Sequence, residues 1–213
     1  MDGLSYRALL IMGATGSGKT PFGIQLETQK LWDKKWHHFD FGEKLRKIAS
    51  RAREEKYDFL SAEELSIIDN SLKTNSLLED KDFAIAEKIL NNFISEKKLN
   101  PWYEIVILNG LPRHVGQAEA IQKIIDVKTI IYFEASPSIL MNRIQSDVGG
   151  DRAGRTDDSI EEIYRKLEIF KKQTMPLIDY YKNLDRTILQ IEVEEDTIPL
   201  YIIQELKTMK SPL

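Results

Sequence analysis

The chain is 213 residues long, 42% hydrophobic and 30% charged, with a formal net charge of −4 and no cysteine. That length suffices for one α/β core with insertions, and without cysteine a disulfide framework, a thiolate zinc site and a cysteine nucleophile are excluded. The acidic balance argues against a dedicated nucleic-acid surface, and no apolar run reaches the roughly 18–20 residues of a membrane helix. The first residues lack a signal-peptide pattern, so a soluble cytoplasmic protein is expected.

The first apolar segment, Ala8 to Met12, reads as a buried strand and runs into Gly13-Ala14-Thr15-Gly16-Ser17-Gly18-Lys19-Thr20. Strand, glycine-rich turn, Lys-Thr and helix is the order of a phosphate-binding P-loop for a nucleoside triphosphate. Gly13, Gly16 and Gly18 let successive backbone N–H groups converge on phosphate oxygens, and the following helix N-terminus adds partial positive charge. Lys19 then reaches the β- and γ-phosphates and the Thr20 hydroxyl faces Mg²⁺. A helix is expected over 22–34, with Pro21 in its first turn. Trp36 to Phe41 reads as a short strand. Its adjacent His37 and His38 point to opposite faces, which disfavours a metal pair.

A helix follows from Glu43 to about Lys56. Ser61 and Glu64 form a capping-box pattern that starts another through about Leu72. Asp80 to Lys97 is amphipathic, with Phe83, Ala86, Leu90 and Phe93/Ile94 at helical spacing, and Asn100-Pro101 ends it. This helical excess between the second and third strands surpasses what a parallel crossover needs and suggests an inserted substrate-binding element. Glu104 to Leu108 is the third strand, ending at Asn109-Gly110-Leu111-Pro112-Arg113. Then come a helix over His114 to Asp126, a strand over Lys128 to Phe133, and a helix over Ser136 to Ser146 with Pro137 at its first position. Asp147 to Asp158 is glycine-rich and charged and is expected to be a mobile loop. A long helix is expected over 159–183, a last strand over Thr187 to Val193, and a closing helix over Asp196 to Met209 with Pro199 in its first turn. Five strands alternating with helices imply a five-stranded parallel sheet inside a three-layer α/β/α domain spanning 1–213.

Phosphoryl transfer needs positive charge spread over the migrating group, and arginine grips phosphate bidentately. Arg46 lies in the inserted helices, Arg113 just past a strand's carboxyl end, and Arg143, Arg152 and Arg155 in or before the glycine-rich loop. In open parallel sheets these regions converge beyond the strands' carboxyl ends.

Four blocks beyond the P-loop resemble the adenylate kinases and their nucleoside monophosphate kinase relatives over nearly the whole chain. Gly42-Glu43-Lys44-Leu45-Arg46 is similar to T-G-D-x-L-R, and Asn109-Gly110-Leu111-Pro112-Arg113 with Gln117 to D-G-[FY]-P-R-x-x-x-Q. Gly154-Arg155-Thr156-Asp157-Asp158 with Glu161-Glu162 is similar to G-R-x-D-D-x-x-E-E, and Lys172 to Ile178 with Tyr180-Tyr181 to the T-x-P-[LV]-I-x-x-Y region. The resemblance implies a monomeric P-loop kinase that uses ATP and Mg²⁺, with a nucleoside monophosphate (NMP)-binding insertion over 41–79 and a short lid over 147–157. The charge balance and the short apolar runs already point to no nucleic-acid and no membrane partner. Carried over, the backbone of Gly13 to Thr20 would bind ATP, and Lys19 would stabilise the transferring phosphoryl group. Arg46 and Arg113 would hold the monophosphate's α-phosphate. Gln117 would read the acceptor base edge, Leu78 would line its pocket, and Phe41, Gly42 and Gly110 would border the same site. Arg143 and Arg155 would be lid-side arginines, with Asp157 and Asp158 at the lid hinge. AMP is the acceptor that the resemblance implies.

The departures carry chemistry. Thr20-Pro21 replaces the family's Gly-Thr after the P-loop lysine. Asn109 replaces the acidic residue that organises Mg²⁺ through water; metal affinity should fall unless another carboxylate compensates. Phe41 puts a bulky ring where the family has a hydroxyl near the acceptor base, which should alter base selection. Lys166 stands at the second arginine of the long helix and lacks the bidentate fork, while Arg165 beside it points about 100° away. Two other readings remain open: a kinase of the same fold acting on another small acceptor, and a nucleotide-binding sensor that has lost catalysis. Asn109, Lys166 and Pro21 speak for the sensor; the retained Lys19, Arg46, Arg113 and Arg155 speak against it.

Overall fold

In the computed structural model, which describes residues 5–50, 57–74, 76–78, 80–150 and 159–213, strand alternation divides two cores. β1 (Tyr6–Gly13) sends Ala8, Leu10 and Met12 to one face and Leu9 and Ile11 to the other, as a period of two requires. It is the central strand of a sheet ordered β2 (Lys35–Asp40), β3 (Glu104–Asn109), β1, β4 (Ile125–Glu134), β5 (Thr187–Glu192). Every pairing is parallel, so all five carboxyl ends share one edge.

Nine α-helices lie among the described residues: α1 (Lys19–Glu27), α2 (Phe41–Ser50), α3 (Ala62–Thr74), α4 (Phe83–Lys97), α5 (Val115–Ile121), α6 (Pro137–Gln145), α7 (Ile160–Ile169), α8 (Pro176–Asn183) and α9 (Pro199–Thr208). α1 and α9 cover the Leu9 face with Phe22, Leu26, Ile202, Ile203 and Leu206. α4, α5 and α8 cover the Leu10 face with Phe93, Ala118 and Leu177. Each of the larger side chains stabilises by about 1.5–3 kcal/mol on burial, whereas an exposed ion pair such as Lys172–Glu168 is worth about 0–1. The two cores, not the surface charges, hold the sheet in place. None of the described helices is long and apolar enough to cross a membrane.

Three stretches differ from the sequence expectation, each for a local reason. The first helix ends at Glu27 rather than 34, and Leu31–Asp33 forms a separate tight turn. There the Trp32 indole Nε1 donates to the carbonyls of Leu206 and Met209, both at 3.2 Å. It thereby ties this turn to the end of α9, where the Leu206 carbonyl also accepts from the Met209 N–H at 3.1 Å. The helix after Arg113 stops at Ile121, and β4 already begins at Ile125. Ala8 pairs with Val127 but Leu9 with Thr129, so Lys128 is an extra residue. This bulge interrupts the alternation that would have marked Ile125 and Asp126 as strand.

The helix expected over 159–183 is broken by a wider π turn at Phe170–Thr174, closed by the Met175 N–H donating to the Phe170 carbonyl at 3.0 Å. Pro176 has no N–H to offer and its ring would clash with the carbonyl four residues back. The inserted turn relieves that conflict.

Smaller shifts occur elsewhere. α2 starts at Phe41, its expected end at 51–56 lying outside the described residues, and α9 starts at Pro199 rather than Asp196. The capping box is formed: Glu64 N donates to Ser61 Oγ at 3.2 Å and Ser61 N to Glu64 Oε2 at 2.8 Å.

Tyr181 on α8 is 1% exposed, and its hydroxyl has no hydrogen-bond partner among the described residues. A buried unbonded hydroxyl costs about 1–3 kcal/mol. Tyr181→Phe is therefore expected to hold or raise the thermal midpoint, by about 2–4 °C per kcal/mol in a chain of this size. A fall in Tm on scanning calorimetry would show that the hydroxyl is bonded after all.

Candidate active site

A cleft opens at the carboxyl ends of β1, β2 and β3, and most residues singled out in the sequence line it. Its floor is the glycine-rich loop. Gly16 and Gly18 take left-handed backbone, with φ of 84° and 89°. A Cβ on Gly16 would meet Ile144 Cγ1 at 2.8 Å and the Leu140 carbonyl at 2.9 Å. Only glycine lets the loop turn there and rest on α6. Within the loop, the buried Ser17 donates from Oγ to the Ala14 carbonyl at 2.9 Å, and Lys19 Nζ donates to the same carbonyl at 2.7 Å. The ammonium thus lies over the loop at the start of α1.

Arg143 on α6 is buried beneath that loop. Its Nε donates to the Gly16 carbonyl at 3.1 Å, and its Nη1 faces the carbonyls of Glu194, Glu195 and Thr197 at 2.7, 3.0 and 3.0 Å. Burial lowers its pKa while the Asp196 charge raises it; a guanidinium stays charged in either case. The expected lid-side arginine is therefore placed as a strap joining the loop to the β5–α9 connection, with Nη2 turned toward Gly18.

At the wall beside Lys19, side chains from two strand ends and the start of α1 meet. Thr20 Oγ1 donates to Asp40 Oδ2 at 2.6 Å. Asn109 Nδ2 donates to the same Oδ2 at 2.7 Å and to Thr20 Oγ1 at 3.1 Å. Asp40 Oδ1 accepts from the Glu43 N–H at 2.9 Å and caps α2. Asp40 and Asn109 are partners in the parallel β2–β3 register.

Beyond β3 the chain passes Gly110 and a cis Leu111–Pro112 bond to Arg113. The Arg113 N–H donates to Gln117 Oε1 at 2.8 Å, and its carbonyl accepts from Thr174 Oγ1 at 2.8 Å, so the π turn and α5 hold this backbone from two sides. Desolvation lowers the guanidinium pKa and the Asp40 charge raises it. Gln117 Nε2 donates to the Leu78 carbonyl at 3.1 Å. Both ends of this amide brace the protein, and the residue lines the cleft with Leu78.

Phe41 is buried and stacks on Phe39, centroids 6.1 Å apart and 25° between planes. A Cβ on Gly42 would lie 3.3 Å from Arg46 Nη1 and 3.5 Å from Asp40 Oδ1, so the bare glycine lets the Arg46 guanidinium fold over the start of α2. Lys166 on α7 lines the cleft, whereas the exposed Arg165 lines a neighbouring depression with His114 and Gln173. Arg152, Arg155, Asp157 and Asp158 fall outside the described residues; of the loop before them, Gly149 reaches the cleft.

Among the described residues, the cleft lining carries Lys19, Arg46, Arg113, Arg143 and Lys166 against one carboxylate, Asp40. That balance suits a polyanion. Asp40 and Thr174 are the members that sequence reading passed over. A capping pattern, Asp40 with Glu43 three residues on, was present for the first; nothing local marks the second. His37 and His38 do face apart: His37 Nε2 lies 3.4 Å from Glu104 Oε2, while the His38 ring packs beside Gly23 of α1.

A family model described as adenylate kinase matches residues 11–186. A uridylate kinase of Saccharomyces cerevisiae is 26% identical over 181 residues, 84% of this chain and 80% of that protein. One of Schizosaccharomyces pombe is 27% identical over 195 residues, 90% of this chain and 91% of that protein. An adenylate kinase of Rickettsia africae is 31% identical over 150 residues, 58% of this chain and 68% of that protein. The matched span runs from β1 through α8 and takes in the glycine-rich loop, the Asp40 wall and the Arg113 turn: the chain belongs to the adenylate kinase family of nucleoside monophosphate kinases.

Proposed function

We propose that this kinase transfers the γ-phosphoryl group of ATP to AMP. The observation that carries the reading is the convergence of the P-loop Lys19 with the acceptor-side Arg46 and Arg113 on one cleft. A nucleotide binder that only hydrolyses or senses ATP has no need of the second pair. In the reaction an oxygen of the acceptor's α-phosphate attacks the γ-phosphorus, the bond to the β–γ bridging oxygen breaks, and ADP leaves with that electron pair. The residues' work is positioning and charge neutralisation. Arg113, fixed through its own backbone, presents the acceptor phosphate, and Arg46 closes over it from α2. Lys19 leaves the Ala14 carbonyl for the β- and γ-phosphates. Residues 41–79 form the acceptor-binding part, 147–157 the lid, and one chain suffices for both substrates, which supports a monomer.

Hard oxygen donors at the cleft wall suit Mg²⁺, with the Thr20 hydroxyl as ligand and Asn109 beside it. When bound with ATP, that ion neutralises charge on the phosphates. Among the described residues no cluster of three or more His, Asp or Glu forms, in keeping with an ion held mainly by substrate phosphates.

A second acceptor, UMP, is favoured by the two fungal relatives, which are named uridylate kinases and align over most of their length with this chain. Phe41, in place of a hydroxyl, is consistent with altered base selection. Purified protein with Mg·ATP and each of AMP, UMP, CMP, GMP and dTMP, its products resolved by chromatography, decides between them. Diphosphate from AMP is the expected result, and diphosphate from UMP alone would replace AMP as the acceptor. No turnover with any of the five, alongside measurable ATP binding, would overturn the nucleoside monophosphate acceptor in favour of a kinase of another small acceptor or of a sensor.

Two substitutions follow. Arg113→Ala is expected to lower kcat/KM for the acceptor by about 10²–10³-fold, or about 3–4 kcal/mol, as for other lost charge-stabilising groups. A change of less than tenfold in an active enzyme would mean that another residue anchors the acceptor phosphate. Phe41→Thr should change the ratio of kcat/KM between AMP and UMP while leaving KM for ATP within about twofold, since small pocket changes discriminate by about 1–3 kcal/mol. An unchanged ratio would remove Phe41 from the base pocket.

A further inference from the structure

The loss of the acidic residue at 109 leaves the metal side of the cleft without its expected carboxylate, and one strand away a carboxylate stands in its place. Asp40 ends β2 directly across the parallel register from Asn109, is 7% exposed, and is the one acidic side chain among the described residues lining the cleft. Capping α2 occupies only Oδ1, through the Glu43 N–H. Oδ2 is turned to the P-loop and lies 2.6 Å from the Thr20 hydroxyl.

The hydrogen-bond count at Thr20 points the same way. A hydroxyl has one proton and two lone pairs. The proton goes to Asp40 Oδ2 and one lone pair accepts from Asn109 Nδ2. One lone pair remains, held in a fixed direction by two neighbours, as a ligand oxygen must be. Asn109 donates to both partners and thereby sets the spacing between hydroxyl and carboxylate. An aspartate at 109 could not give those bonds, and its charge would repel Asp40.

We propose that Asp40 is the metal-organising carboxylate of this kinase, the duty having moved from the end of β3 to the end of β2, with Asn109 as the positioning residue that orients Asp40 and Thr20 toward Mg²⁺. The inference rests on the ATP-binding part of the proposed function but not on the identity of the acceptor. An isolated capping role for Asp40 predicts no metal dependence, so the two are separable by experiment.

ATP binding is measured by calorimetry in excess Mg²⁺ and in EDTA for the wild type, Asp40→Asn, Asp40→Ser and the exchange Asp40→Asn/Asn109→Asp. Asparagine and serine both keep a helix cap and so preserve α2, while both remove the charge. The ratio of the two affinities, Mg²⁺ over EDTA, is expected to fall by about 10- to 100-fold in both single variants, the range for a lost group behind a metal ligand. Affinity in EDTA should stay level or rise, because a negative charge has left the phosphate site. The exchange variant should recover most of the ratio.

An unchanged ratio in a folded Asp40→Ser would overturn the proposal, as would an equal loss in Mg²⁺ and in EDTA. A readout on the unaltered protein covers the case in which neither single variant folds. Mn²⁺ with ATP should broaden the Asp40 side-chain carboxyl resonance beyond detection where Mg²⁺ with ATP leaves it sharp, and a resonance that stays sharp with Mn²⁺ would equally overturn it. An enzyme inactive on every monophosphate but showing the expected ratios would sink the nucleoside monophosphate acceptor and leave Asp40 in its role.

Discussion

The amide of Asn109 joins the ends of two neighbouring strands to the first turn of the helix that follows a third, and the cleft is built around that junction. Asn109 closes β3, Asp40 closes β2, and Thr20 opens the helix that follows β1; their side chains meet within 3.1 Å. Hydrogen bonds to a charged group contribute about 1.5–3 kcal/mol each, and a buried carboxylate stripped of them would be penalised by more than that. The junction is therefore favourable only while all its members are present. It fixes the P-loop helix against the rim that carries Gly110 and Arg113. Since the parallel register sets Asp40 opposite Asn109, a slip of one residue in β2 would send Asp40 to the other face of the sheet and leave the amide without its acceptor.

The arginines differ in how firmly they are held, and the difference matches the role proposed for each. Arg143 is committed to the carbonyls of Gly16 and of residues 194, 195 and 197, so it sets the shape of the phosphate loop from below and offers one nitrogen at Gly18. Arg113 has a fixed backbone and a guanidinium directed at the cleft, under opposing pulls from desolvation and from Asp40. Arg46 is exposed on α2 and is positioned mainly by the bare Gly42 beneath it. A charge that must be in place before the substrate arrives belongs on the core. One that has to admit and release an acceptor belongs on an outer helix.

What could be read from the sequence was what is encoded within a dozen neighbouring residues. The glycine-rich loop, the capping box at Ser61 and the prolines at helix starts are local patterns, and each stands where the residues put it. The blocks around Arg46, Arg113 and Gln117 were found because their spacing survives substitution, and all three residues line the cleft. Strand order is a long-range property, so the meeting of Asp40 with Asn109 could not be read without knowing that β2 lies beside β3. The bulge at Lys128 and the π turn before Pro176 were hidden for a related reason. Each inserts one residue into a regular period, and a periodicity argument then reports a boundary or a continuous helix where neither exists.

The π turn shows how such an irregularity reaches the chemistry. An unbroken helix through Pro176 would strain against the proline ring, and relieving it costs one residue of register. With the turn in place, Thr174 lies buried against the Arg113 carbonyl, to which its hydroxyl donates at 2.8 Å. The same turn places Phe170 and Ile169 on the cleft wall near Lys166. A helix that packs the core through Leu177 and Tyr181 is thereby mechanically joined to the cleft-lining Arg113. Movement of α7 relative to α8 would act first at Thr174, through one hydrogen bond, and only then at the Arg113 backbone. The proline that disturbs the helix is thus the residue through which the sheet-covering layer fixes the position of a charge in the cleft.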